Sequence, residues 1–267
     1  MKNGQKSRNN VPIRFLIPNA ITLLALSAGL TSIRMAYEQR FEVTIISVLF
    51  AAILDGIDGR AARLLNASSK FGAELDSLAD FVNFGVAPGL IVYFWALQDA
   101  KSLGWVVSLI FTICICLRLA RFNVESQEEA TYKWKKKFFT GVPAPAGAFL
   151  VLTPFYCRFI NIEIPSYLIL LNTVAISILT VSQMPTFSFK NMGSMPRTSV
   201  RVLLVLIILL ASVLAIHTWQ TLLTAAVLYV ATFPFSILSH RKYMQLEALK
   251  NPPQLEFDSD ELDSDED

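Results

Sequence analysis

Asp55, Asp58, Asp76 and Asp80 lie within or at the ends of two apolar runs, near residues 41–63 and 74–97, where carboxylates are costly and mark a functional site. Glu74 opens the second of these runs. Asp55 and Asp58 are three apart and Asp76 and Asp80 four apart, so on helices each pair shares a face. Only the ten residues between Arg63 and Glu74 separate the runs, which makes the helices antiparallel neighbours with facing carboxylate pairs. Four such groups repel one another unless a cation sits between them. All-oxygen ligation selects a hard ion, Mg²⁺ or Mn²⁺, over Zn²⁺, and two ions match the formal charge of four aspartates. Gly59 and Ala62 follow Asp55 and Asp58 by four residues, and Gly72 precedes Asp76 by four, leaving room on those faces for a bulky polar ligand. With Arg63 as a phosphate-binding fork, the set reads as a metal-assisted diphosphate site. A single Asp at a membrane-helix end is ordinarily solvated at the interface. Four at two matched helical spacings, with glycines on the same faces, are not accounted for that way.

The elements that position these residues follow from composition. Of 267 residues 54% are hydrophobic and 16% charged, which excludes a disordered chain, a coiled coil and a nucleic-acid-binding module, and points to an integral membrane protein. Eight apolar runs, near 16–36, 41–63, 74–97, 104–122, 142–160, 165–182, 201–216 and 219–238, predict an all-α polytopic fold of about eight transmembrane helices, the last two a hairpin. Assigned to the two faces in turn, 19 of the 23 Lys and Arg residues fall on one side, leaving Arg34, Arg40, Lys101 and Arg158 on the other. That bias places both termini and the carboxylates in the cytoplasm. The net charge of +2 hides an acidic end: residues 256–267 hold eight acids and no base, leaving the rest at +10. The expected organisation is a basic cytoplasmic segment 1–15, a catalytic core 16–200, a transmembrane hairpin 201–240 and an acidic, disordered tail 241–267. Cys114, Cys116 and Cys157 read as packing residues, and two histidines leave little for a His-based metal site.

The pattern Asp55-Gly-Ile-Asp58-Gly59-Arg-Ala-Ala62-Arg63, eight residues, Gly72, three residues, Asp76, three residues, Asp80 resembles the CDP-alcohol phosphotransferase signature at every fixed position. The resemblance implies a membrane-embedded six-helix catalytic core, usually dimeric, two divalent metals, and transfer of a substituted phosphate from a CDP-linked donor to an alcohol with release of CMP. It makes Asp55, Asp58, Asp76 and Asp80 the metal ligands and Asp80 the proton acceptor. It assigns donor binding to Gly59, Ala62, Arg63, Ser69 and Gly72 and to Asn19 and Thr22 at the start of the first helix. Asn19 and Thr22 also read as caps that solvate a helix start.

Flanking phrases are similar to the serine-using branch of that family, the type II phosphatidylserine synthases: Asp76-Ser-Leu-Ala-Asp80-Phe-Val-Asn83-Phe-Gly85, Arg118-Leu-Ala-Arg121-Phe-Asn123, Phe139-Thr-Gly141-Val-Pro143-Ala-Pro145 and Met184-Pro185-Thr-Phe-Ser-Phe-Lys190. The branch implies CDP-diacylglycerol and L-serine as substrates, membrane lipids as surroundings, a homodimer, and the bacterial cytoplasmic membrane as location. Arg118, Arg121 and Asn123 are then the candidates for holding serine, their other reading being headgroup anchoring. The run Lys133–Lys137, with Trp134 inside it, reads as a patch for anionic headgroups. Other acceptors, namely glycerol 3-phosphate, inositol phosphate or choline, stay open within the same chemistry. From a different class, a divalent-cation transporter would use the same carboxylates, although transport sites favour the bilayer midplane.

Overall fold

The computed structural model describes residues 13–127, 138–182, 185–187 and 197–250. Residues 1–12, the Lys133–Lys137 run, Lys190 and the acidic residues 251–267 lie outside the described residues. The chain is built almost wholly of helices: α1 (Leu16–Tyr37), α2 (Phe41–Leu64), α3 (Lys70–Asp80), α4 (Ala87–Val92), α5 (Lys101–Gln127), α6 (Ala144–Val151), α7 (Thr153–Phe159), α8 (Ser166–Val181), α9 (Arg197–Ile216) and α10 (Thr218–Lys250). Two π-helical turns, Phe81–Val86 and Tyr93–Leu97, join α3 and α4 into a single 28-residue helix from Lys70 to Leu97. Strands β1 (Phe138–Thr140) and β2 (Pro185–Phe187) pair antiparallel, Phe139 opposite Thr186, and tie the segment before α6 to the one after α8.

Each of the eight apolar runs coincides with helix. Among the described residues, three helices are long and apolar enough to cross a membrane on composition alone: Leu16–Tyr37, Lys70–Leu97 and Lys101–Glu125. α2 has the length, 24 residues, but Glu42, Asp55, Asp58, Arg60 and Arg63 dilute its hydropathy. The molecule is thus an all-α polytopic membrane protein. Large apolar side chains point outward along its helices, among them Leu23, Leu24 and Leu30 on α1 and Ile110, Ile113 and Leu117 on α5, as a lipid solvent permits.

Three boundaries differ from the sequence reading. The run at 142–160 is two helices, because Pro154 has no N–H to continue the ladder and the chain kinks at Leu152. The third helix starts at Lys70 rather than 74, because Ser69 caps it: its backbone is extended and its Oγ accepts from Gly72 N at 3.0 Å. α10 continues to Lys250, so the stretch 241–250, expected as disordered tail, is helical.

The core lies between α1, α2, the Lys70–Leu97 helix, α5, α6 and α8, with Ile45, Phe84, Ile91, Phe111, Ile115, Val151 and Phe155 fully buried. α1 buries a stripe of small residues, Ala25, Gly29, Ser32 and Ala36, which lets its backbone approach its neighbours closely. Gly141 adopts a positive φ of 79°, and a Cβ there would meet the carbonyls of Thr180 and Ser182, so only glycine fits this corner between β1 and α6.

Candidate active site

The hairpin between α2 and α3 builds the site. α2 ends at Leu64, Asn66 turns the chain in a left-handed conformation (φ 48°), and Ala67 N returns a bond to Ala62 O at 2.9 Å. Asparagine tolerates that conformation better than most residues. The link Leu65–Ser69 is therefore only five residues long, and the two acid-bearing helices, expected to pack on each other, both pack chiefly on α1. Carboxylate oxygens of Asp55, Asp76 and Asp80 come within 4.8 Å of one another. Among the described residues the one ion pair is Arg34–Glu38, at 2.8 Å, so no basic side chain is in ion-pair contact with this cluster. One oxygen of Asp80, Oδ1, is buried without a hydrogen-bond partner. Three hard oxygen donors at this spacing, with no basic side chain in ion-pair contact, fit a divalent cation. The cluster can hold a metal ion.

Asp58 is turned elsewhere. It is 3% exposed, and its Oδ2 accepts from Thr22 Oγ1 of α1 at 2.7 Å while Oδ1 accepts from the backbone N–H of Gly59. Three residues along a helix rotate a side chain by about 60° from full register, which is enough to aim Asp58 at α1 while Asp55 faces α3. The described structure thus gathers Asp55, Asp76 and Asp80 and sets Asp58 beside them on Thr22.

Several of the residues expected to bind a donor lie close to one another. A Cβ at Gly72 would lie 3.0 Å from Asn19 Oδ1 and 3.1 Å from Ser69 Oγ, which brings Asn19, Ser69 and Gly72 together at the mouth of the hairpin. Thr22 joins them through Asp58. A Cβ at Gly59 would meet nothing within 4 Å. Packing therefore does not demand glycine at 59, and the space in front of it is open to a ligand. Ala62 is half-buried and Arg63 exposed on the same helix.

The three residues expected to hold an acceptor separate into two groups. Arg121 Nη1 donates to Val181 O at 3.0 Å, capping the last turn of α8, and Asn123 Nδ2 donates to Ser77 Oγ at 2.7 Å, tying α5 to α3. Arg118 is different: it is 7% exposed, its Nε is without a partner, and it lies within electrostatic reach of Asp80, with the Phe122 ring 5.6 Å from its guanidinium carbon. Asn83, which the sequence places in a serine-branch phrase without giving it a role, lies three residues after Asp80 and is 1% exposed, with its amide nitrogen and oxygen both unpartnered. The available signal was a carboxamide inside an otherwise apolar run, Phe81-Val82-Asn83-Phe84-Gly85.

A helical membrane protein whose second and third helices bring three carboxylates together defines a class, that of membrane proteins with an acidic cluster able to hold a divalent cation. The sequence model of the CDP-alcohol phosphatidyltransferase family matches residues 15–183, the segment that contains every residue of this centre. The chain belongs to that family. Similar proteins include one from Mycobacterium leprae, 46% identical over 152 residues (57% of this chain, 50% of the relative), and one from Helicobacter pylori strain J99, 44% identical over 138 residues (52% and 56%). A third, from Bacillus subtilis, is 36% identical over 176 residues, covering 66% of this chain and 92% of the relative. All three are named CDP-diacylglycerol–serine O-phosphatidyltransferase. The chain spans about half the length of the mycobacterial and Helicobacter relatives it matches.

Proposed function

We propose that this protein transfers the phosphatidyl group of CDP-diacylglycerol to L-serine, forming phosphatidylserine and CMP. The observation that carries the reading is the convergence of Asp55, Asp76 and Asp80 within 4.8 Å, inside the segment that matches the family. The name that the relatives share supports serine as the acceptor.

Asp55, Asp76 and Asp80, with Asp58 alongside, would hold two divalent ions, Mg²⁺ or Mn²⁺. When bound, these ions neutralise the diphosphate and the charge that develops on the departing CMP. Asn19, Thr22, Gly59, Ala62, Arg63, Ser69 and Gly72 hold the donor: the open face at Gly59 admits the nucleotide diphosphate, and Arg63 pairs with phosphate. Asp80 takes the proton of the serine hydroxyl as that oxygen bonds to the phosphatidyl phosphorus, and the bond from phosphorus to the CMP oxygen breaks. Arg118 pairs with the serine carboxylate. Arg121 and Asn123 keep the end of α5 seated against α8 and α3, so that Arg118 faces the acids. Both termini and the site face the cytoplasm of a bacterial inner membrane, and the protein works as a homodimer.

The test is an acceptor screen. Purified full-length protein with CDP-diacylglycerol and Mn²⁺ or Mg²⁺ is given serine, glycerol 3-phosphate, inositol phosphate or choline in turn. CMP release that depends on serine is expected. Release with another alcohol alone replaces the acceptor, and nucleotide-independent metal flux in liposomes with no CMP release from any alcohol rejects the transferase reading.

A further inference from the structure

Among the described residues, four side chains carry buried polar atoms without a hydrogen-bond partner: Asp80, Asn83, Ser108 and Arg118. Three of these bear on one place. Arg118 of α5 lies within electrostatic reach of Asp80, and Asn83 lies three residues beyond Asp80, in the π-wound turn that packs against α5. Ser108 sits ten residues before Arg118 and belongs deeper in the bundle.

Asn83 stands out because the fold accommodates it without bonding to it. Its carboxamide lies against Gly29 of α1, where a Cβ would collide with Asn83 Oδ1, so the small-residue stripe on α1 leaves the space the amide occupies. The helix is π-wound from Phe81 to Val86, a distortion that recurs at functional sites, and that turn packs against both α1 and α5. A carboxamide 1% exposed at membrane depth with both heteroatoms unpaired is costly to keep unless something outside the fold bonds to it.

The three orphaned groups differ in kind. A carboxylate oxygen receives a hydroxyl proton, a guanidinium N–H donates to a carboxylate, and a carboxamide oxygen accepts from an ammonium. Together they match the three polar groups of a hydroxylated α-amino acid. We propose that Asn83 is a direct ligand of the acceptor amino acid, its carboxamide oxygen accepting from the acceptor's α-ammonium while Arg118 takes the carboxylate and Asp80 the hydroxyl. This rests on the serine-transferase reading and adds a specificity-determining residue to it.

The experiment compares wild type with Asn83→Leu and Asn83→Ala, as full-length protein in detergent with CDP-diacylglycerol and Mn²⁺. Serine-dependent CMP release by wild type comes first, and its absence rejects the parent reading alone. Given that release, each variant is expected to raise the KM for serine at least tenfold, the effect of losing a hydrogen bond to a charged group. The KM for CDP-diacylglycerol moves less than twofold. Each variant also melts no lower than wild type without substrates, because it removes a polar group that the fold leaves unsatisfied. An unchanged serine KM overturns the proposal. So does a variant that melts lower or fails to fold, since that would show the carboxamide serving the protein's own structure.

Discussion

Gly59 offers a perturbation in which stability and function should move in opposite directions. It lies inside α2, where glycine is less favourable than alanine by about 0.8–1.0 kcal/mol in a helix interior. Apart from the adjoining backbone of its own helix, nothing lies within 4 Å of the position its Cβ would take, so Gly59→Ala gains that increment with no steric cost. For a chain of this size about 1 kcal/mol raises the melting temperature by roughly 2–4 °C. The same methyl would protrude into the space assigned to the nucleotide diphosphate. Overpacking of a fitted contact costs about 1–3 kcal/mol, roughly five- to 150-fold in the donor KM. The assay is a melting curve in detergent beside CMP release titrated with CDP-diacylglycerol. Gly59→Ala that melts higher and binds donor as well as wild type would refute the reasoning about the open face. A variant that melts lower would show that the space in front of residue 59 is not open.

The remaining expectations are sharper in kind than in size. Asp80→Asn should lower turnover by roughly 10²-fold or more, as removal of a general base does, while donor KM stays within about threefold; near-normal turnover would remove Asp80 from that role. Arg118→Gln should raise the serine KM well beyond the effect of Arg121→Gln, whereas Arg121→Gln should lower the melting temperature more, because it frees the last turn of α8; equal KM effects would count against the division drawn between them. The chain ended after Lys250 should retain serine-dependent CMP release, since every residue of the site lies before it; complete loss of activity would give the acidic tail a part in the reaction.

Much of this was open to reading before any coordinates, and the reasons differ by element. Apolar run length and carboxylate spacing are local properties, so the helix positions and the grouping of Asp55, Asp76 and Asp80 could be read from the chain. The break at Leu152 was also local, since Pro154 is visible in the sequence, but run length outweighed it. The short link before Lys70 was missed because Ser69 as a cap competes with the hydropathy that marks a helix start. Asp58 is a different case. Its partner Thr22 lies on α1, 36 residues away, and no spacing rule within α2 reveals which way that carboxylate turns. Arg121 and Asn123 likewise look identical in kind to Arg118 until Val181 and Ser77 are seen to occupy them. Asn83, visible in the sequence only as part of a branch phrase, is the opposite case, since its importance lies in the bonds the fold does not provide.

The five-residue link between α2 and α3 also bears on how the protein is made. Asp55 and Asp80 lie 25 positions apart in the chain, and Thr22 precedes both, so every group at the carboxylate centre comes from the first three helices. Contacts so near in sequence close quickly, ahead of those that must await distant segments. During synthesis the acid cluster is therefore brought together soon after the third helix emerges, while α5 and Arg118 are still to come.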